Sequence, residues 1–290
     1  MRAIRYTLAA ALTVIAAASC QKEQPVQQER TITFTASLEQ PETKVTLGDK
    51  VDNSYPVLWQ KDDQLTVFDD GAVNKKFSHS ETTASKSVTF TGTGNFTDGN
   101  SYVAIYPYHK NHTYADNTIS WSGSGTKQQY PNTASSNLPM EKNGRSLAIV
   151  AAKGIIEKEG TDLSFSNVMA MVKFTLTESG RLTRVRLVNN ATSDNNFCID
   201  GNLSISASDF SVTGDANLIQ FYPLKGQEGT ATFDAGTYYI AVHPGAIIPE
   251  IKFDSGKNTQ VTYKKGTKEV TLKAGEILDL GSFTMPQATE

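Results

Sequence analysis

From Thr31 onward the chain alternates apolar and polar residues with a period of two, and this pattern limits its folds more than any other feature. The stretch TITFTASL places Ile32, Phe34 and Ala36 on one side and Thr31, Thr33 and Thr35 on the other. Successive side chains of an extended chain point to opposite faces, so this reads as a strand with one buried and one wet face. Further short runs follow at Val57–Trp59, Gln64–Phe68, Lys75–Ser78, Ser87–Thr91 and Tyr102–Tyr106. Turn signals such as Leu47-Gly48-Asp49, Asp69-Asp70-Gly71 and Thr97-Asp98-Gly99-Asn100 separate them. The pattern restarts at LSFSNVMAMVKFTL, residues 163–176, where the polar break at Ser166-Asn167 suits a bulge or a tight bend. β-branched and aromatic content favours strand over helix for Val168–Thr175. Strands are expected after it at Leu182–Val188, Phe197–Ile199, Leu203–Ile205, Leu218–Tyr222 and Gly236–Val242, and then at Ile251–Phe253, Gln260–Lys264, Lys268–Thr271 and Ile277–Thr284.

The 33 threonines and 24 serines suit exposed strand faces and loops better than long helices. Many short strands with Gly and Asp turns predict an all-β protein of two tandem β-sandwich domains, residues 31–155 and 156–290, divided near GIIEKEG. No repeat of 20–50 residues is visible, which disfavours a solenoid or propeller. Between Lys110 and Gly144 the chain is polar and turn-rich. Thr118–Ser122 reads as a strand there and the rest as a surface excursion.

The opening, MRAIRYTLAAALTVIAAASC, has Arg2 and Arg5 before an apolar run of about a dozen residues. That run suits a signal peptide (residues 1–19) and is too short for an ordinary spanning helix. It ends at Ala17-Ala18-Ser19-Cys20, which resembles a bacterial lipoprotein box with Cys20 as the lipidated residue. Residues 20–30 then form a lipidated polar tether. No later segment reaches 18 apolar residues, so any membrane attachment is expected through lipid.

The charged residues, 27 basic against 30 acidic, leave no basic excess for nucleic acid. Cys198 is expected to pack as a small apolar residue. His109 and His112 in YHKNHTY have no Cys, Asp or Glu beside them and read as exposed loop residues. The Asp62-Asp63 and Asp69-Asp70 pairs flank the strand QLTVF, where turns and caps commonly use Asp. No nucleophile elbow, zinc motif or phosphate loop is present, so no enzyme and no cofactor is expected. Tyr102, Tyr106, Tyr108, Tyr114, Trp121 and Tyr130 gather within 29 residues among Asn, Ser and Gly. Of these, Tyr108, Tyr114, Trp121 and Tyr130 are the candidates for a glycan- or protein-binding surface. The plainer reading is that alternate aromatics fill the core. Trp59, inside an apolar run, is assigned to the core.

Three stretches together resemble the fimbrillin-like (Mfa-like) family of Bacteroidetes pilus subunits. They are TKVTLGDKVDNSYPVLWQKDDQLTVF at 43–68, LSFSNVMAMVKFTL at 163–176 and VTLKAGEILDLGSF at 270–283. Thr43, Lys44, Trp59, Asp63 and Leu65–Phe68 match the first motif, Phe165 and Ala170 the second, and Leu272, Gly275 and Leu278 the third. The resemblance implies a lipoprotein on the outer membrane, at the cell surface or in a pilus, with two transthyretin-like β-sandwiches and other pilin subunits as partners. In such proteins a cut after a basic residue removes a first strand, and a strand from a neighbouring subunit fills the groove. Arg30 and Lys44 are the candidate cleavage sites; only a cut after Lys44 would remove TITFTASL. Ile277–Met285 would be the donor element, through Leu278, Leu280 and Phe283. Leu278 and Leu280 share a face, and Phe283 joins them only if a bulge at Gly281-Ser282 changes register. The alternative is a monomeric surface lipoprotein that binds a host glycan or protein through its aromatic-rich region.

Overall fold

The computed structural model describes residues 29–38, 58–121, 126–131, 139–141, 149–156, 161–180, 182–192, 196–222, 232–254 and 260–284. Its strands in chain order begin with β1 (Arg30–Leu38), β2 (Gln64–Phe68), β3 (Asn74–Ser78), β4 (Ser87–Gly94) and β5 (Ser101–Tyr106). Four short strands follow, β6 (His112–Ala115), β7 (Thr118–Trp121), β8 (Gln128–Pro131) and β9 (Pro139–Glu141). The chain continues through β10 (Val150–Ile155), β11 (Thr161–Asn167), β12 (Ala170–Leu176), β13 (Arg184–Asn189), β14 (Leu203–Ser206) and β15 (Leu218–Phe221). The last are β16 (Gly236–Val242), β17 (Gly245–Ile247), β18 (Pro249–Asp254), β19 (Gln260–Lys265), β20 (Val270–Leu272) and β21 (Ile277–Phe283).

Seven strands form a closed barrel in the order β1-β11-β10-β5-β2-β3-β4. Closure comes from β1, which pairs antiparallel with β4 from Arg30↔Gly94 to Ser37↔Ser87 and parallel with β11 from Phe34↔Thr161 to Leu38↔Phe165. The inward residues Ile32, Phe34, Leu65, Val67, Phe77, Phe90 and Phe165 pack around Trp59. A Cβ at position 92 would lie 2.5 Å from the Phe77 ring, so Gly92 makes room for that ring to cross the interior.

The remaining strands form sheets in the orders β16-β12-β21, β19-β18-β13-β15-β8-β9, β14-β7-β6 and β17-β20. The first two share one apolar cluster, in which Val172 and Phe174 of β12 join Leu187, Phe221, Ile251 and Phe253. A further cluster lies against the outside of the barrel. There Phe68, Val103 and Ile105 meet Ile119, Trp121, Leu203, Ile205 and Ala241. β5 is therefore apolar on both faces: Tyr102, Ala104 and Tyr106 face the barrel core and Val103 and Ile105 the outer cluster.

The all-β expectation holds, but two tandem transthyretin-like β-sandwiches do not. One sheet closes into a barrel, and the others are separate sheets of unequal size. The cause lies in strand edges. β11 follows β10 in a hairpin and fills the gap beside β1, which removes two exposed edges at once. The polar 110–144 stretch, expected to be largely an excursion, supplies four short strands; β7 pairs with β14, and β8 pairs with β15. Both halves of the chain thus contribute to the same sheets. Among the described residues no helix is long and apolar enough to cross a membrane.

Candidate functional site

The barrel holds the first candidate, β1 and its socket. Ile32, Phe34 and Ala36 are buried, with Thr31, Thr33 and Thr35 on the opposite face, as the alternation predicts. Phe34 lies 5.4 Å from the Phe77 ring and 6.2 Å from Phe90. Trp59 Nε1 donates to the Ala36 carbonyl at 2.9 Å, and the indole meets Phe90, Tyr106 and Phe165 edge-on. The core role expected for Trp59 is thereby explained, since the indole satisfies its one donor on the strand it packs under. At the entrance, Arg30 pairs with Asp98 at 2.5 Å and Lys75 with Glu29 at 2.5 Å. Arg30 therefore sits at the start of a paired strand. Lys44 and Cys20 lie outside the described residues.

The second candidate is β21. It is an edge strand of its sheet, parallel to β12. Its register shifts by one residue between Lys173↔Asp279 and Thr175↔Ser282. Gly281 sits in that bulge with φ +89°. The extra residue returns Phe283 to the face of Leu280, so both are buried in one cluster with Leu278 packed beside them. Phe283 lies 5.6 Å from Phe253. The three candidate donor residues thus occupy their own chain's core.

The aromatic region is divided rather than gathered. Tyr108 is half-buried, with Lys76 Nζ 5.9 Å from its ring centroid. Tyr114 is half-buried against Phe68, 5.3 Å away. Tyr130 lies on β8 opposite Met140. Trp121 is fully buried, and this corrects its place in a ligand surface: alternation along β7 turns Ile119 and Trp121 inward together. His109 and His112 pack on the indole at 5.9 and 4.5 Å. His112 is also buried, contrary to the expected exposure, with Nδ1 2.9 Å from Thr66 Oγ1. Among the described residues no three His, Cys, Asp or Glu side chains are grouped to hold a metal.

The aspartate pairs do act at turns. Asp69 Oδ1 accepts from the Gly71 and Val73 amides, and Oδ2 from the Asn95 amide. Asp63 accepts from the Gln60 amide at 2.7 Å and from Tyr106 Oη at 3.1 Å. Burial pushes the Asp63 carboxyl up to about 6, partly offset by those two bonds. Burial lowers His243 to about 4 and raises the Cys198 thiol to about 12. Cys198 is fully buried and donates to backbone carbonyls, in keeping with a packing role.

Sequence reasoning missed Asp70 as a hub. Its Oδ1 accepts from Tyr102 Oη at 2.6 Å and Asn100 Nδ2 at 3.0 Å, and its Oδ2 from Thr97 Oγ1 at 2.8 Å. A cleft of about 370 Å³ opens beside it, between the 69–73 turn, the start of β5 and Tyr114. The only signal in the sequence was the turn composition at 69–71 and 97–100.

No family model and no curated protein matches the sequence. Solved structures do. A candidate cell adhesion protein from Bacteroides uniformis aligns with a TM-score of 0.51 at 14% identity, covering 91% of this chain and 95% of that one. A second candidate cell adhesion protein, from Bacteroides ovatus, aligns at 0.45 and 12% identity over 88% of this chain and 92% of that one. A fimbrial protein from Bacteroides ovatus aligns at 0.38 and 13% identity, over 87% of this chain and 50% of its own. The chain shares its all-β fold, over most of its length, with the Bacteroides uniformis protein.

Proposed function

We propose that this chain is a non-enzymatic structural or adhesive protein of the bacterial surface. In this reading it is tethered to the outer membrane through lipid on Cys20 and assembles with other pilin subunits by strand exchange. One observation carries the reading: β1 fills a slot between β4 and β11 over a floor of large apolar side chains. Its removal would leave two facing backbone edges and uncover Phe77, Phe90 and Trp59. An extended segment from another subunit could satisfy both at once. Because donor and acceptor surfaces differ, that contact propagates into a filament instead of closing.

Of the two candidate cuts, Lys44 suits this role. A cut there severs β1 from the rest of the chain, whereas a cut at Arg30 releases only the tether. The candidate donor, β21, is packed at home through Leu280 and Phe283, so donation requires it to leave the β12 edge. The kinship in shape with a candidate cell adhesion protein supports the adhesive side of the reading. The alternative, ligand binding centred on Trp121, has lost its central side chain to the core.

The test is to treat residues 21–290 with a protease specific for Lys or Arg, then sequence the new N-termini and size the products. Cleavage after Lys44 with loss of the 31–44 segment and a ladder of oligomers is expected. A chain that is cut there, loses the segment and stays monomeric would overturn strand exchange.

A further inference from the structure

At one end of the barrel, the 69–73 turn, the 97–100 turn, the start of β5 and β6 enclose the cleft of about 370 Å³. We infer that this cleft binds one neutral sugar ring, with Tyr114 as the stacking wall and Asn100 and Ser101 as the polar contacts.

Size is the first support, since the volume is at the lower end for small-ligand sites and suits one ring better than an extended chain. The walls supply the second. Phe68 and Val103 are buried and form the floor, while Tyr114 is half-buried with its ring tilted against Phe68. An aromatic ring held from behind offers a flat apolar surface to the C–H face of a pyranose. Asn100 and Ser101 also line the cleft, and both are exposed. Asn100 donates its Nδ2 to Asp70, which fixes the amide plane and leaves its Oδ1 as an acceptor for a sugar hydroxyl. Ser101 provides a hydroxyl that both donates and accepts.

Asp70 acts as the positioning residue. By accepting from Tyr102, Asn100 and Thr97 it holds the rim in one arrangement before any ligand arrives. Charge sets the class of sugar. Glu29, Asp69, Asp70 and Asp98 stand at this end of the barrel against two cations, Arg30 and Lys75, each already paired with a carboxylate. A sugar carrying its own carboxylate is repelled, so the site selects neutral rings.

The experiment titrates residues 21–290 with the methyl glycosides of glucose, galactose, mannose and glucuronic acid, read by backbone amide shifts. At least one neutral glycoside should shift Asn100, Ser101 and Tyr114 with a Kd of about 1–10 mM, as fits so small a ligand. The glucuronide should bind at least about tenfold more weakly. Ser101→Trp, at an exposed position, should fill the cleft and abolish the shifts. Asn100→Ala should weaken binding about fivefold or more and keeps the test valid if the bulkier variant misfolds. The inference fails if no neutral glycoside shifts these amides at about 50 mM. It also fails if shifts persist in both variants or if the glucuronide binds as well.

Discussion

The side-chain amide of Gln129 closes on both backbone groups of Ala241. Its Oε1 accepts from the Ala241 amide at 2.9 Å and its Nε2 donates to the Ala241 carbonyl at 2.7 Å, with a second Nε2 bond to the Thr126 carbonyl at 2.8 Å. Gln129 is fully buried and thus imitates a missing strand partner, stitching β8 to β16. Gln129→Leu keeps much of the volume but leaves the Ala241 groups unpaired. It should cost about 2–4 kcal/mol in denaturant unfolding, against less than about 1 kcal/mol for an ordinary surface change. A loss within the surface range would refute the stitch.

Trp59 anchors β1 through one hydrogen bond and three edge-on ring contacts. Trp59→Phe deletes the bond to the Ala36 carbonyl and trims the barrel core, for a cost of about 2–3 kcal/mol. Amide hydrogen exchange should localise that loss. Ile32 to Ala36 should exchange faster while β13 and β18 keep their protection; uniform acceleration would mean that β1 has no separate anchorage.

Asp63 and His243 give stability opposite slopes over one pH range. The Asp63 carboxyl, raised from 3.8 to about 6, is more easily protonated in the folded state, so its contribution is present below about pH 4 and lost as pH rises through 6. The His243 ring, lowered from 6.5 to about 4, resists protonation when folded, so its contribution is present above about pH 6.5 and lost as pH falls through 4. Between about pH 4 and 6 the two largely cancel. Asp63→Asn removes one slope, so relative to the parent its stability should fall toward acid by on the order of 2 kcal/mol across that window. Parallel pH profiles for parent and variant would show that burial does not perturb Asp63.

Gly281 allows the bulge in β21. Its φ of +89° is a region that other residues enter with strain, while a Cβ there would meet nothing within 4 Å. Gly281→Ala should therefore cost about 1–2 kcal/mol through the backbone alone. Deleting Gly281 should do more harm, because it turns Phe283 out of the core, and loss of the Phe283–Phe253 contact would appear in aromatic NMR shifts. A deletion as mild as the alanine change would mean that register here is loosely set.

The period-two pattern made individual strands readable. β1, β2, β12 and β21 fall close to where alternation puts them, and the bulge that reunites Phe283 with Leu280 was legible as a condition on Gly281-Ser282. Pairing was less readable, because a strand's side-chain pattern tells which face is buried and not which neighbour lies along each edge. The parallel partnership of β1 with β11 therefore left no local trace, and the tandem-sandwich expectation failed on it. Gln129 and His112 were missed for a related reason. Each is a polar residue in a polar stretch, buried with Gln129 bonded to the Ala241 and Thr126 backbone and His112 Nδ1 set against Thr66 Oγ1. The cleft beside Asp70 is likewise assembled from turns that read, one by one, as ordinary punctuation.

The pairing of β1 with β11 also has a consequence in time. Ser37 and Leu163, joined by a hydrogen bond, are 126 residues apart in the chain. Contacts this distant raise the contact order and slow the search for the native state. During synthesis, the first strand emerges long before its eleventh-strand neighbour exists, so the barrel stays open and its edges sticky until residues 161–167 arrive. The delay that burdens folding also leaves one edge of the first strand without its partner until the last moment.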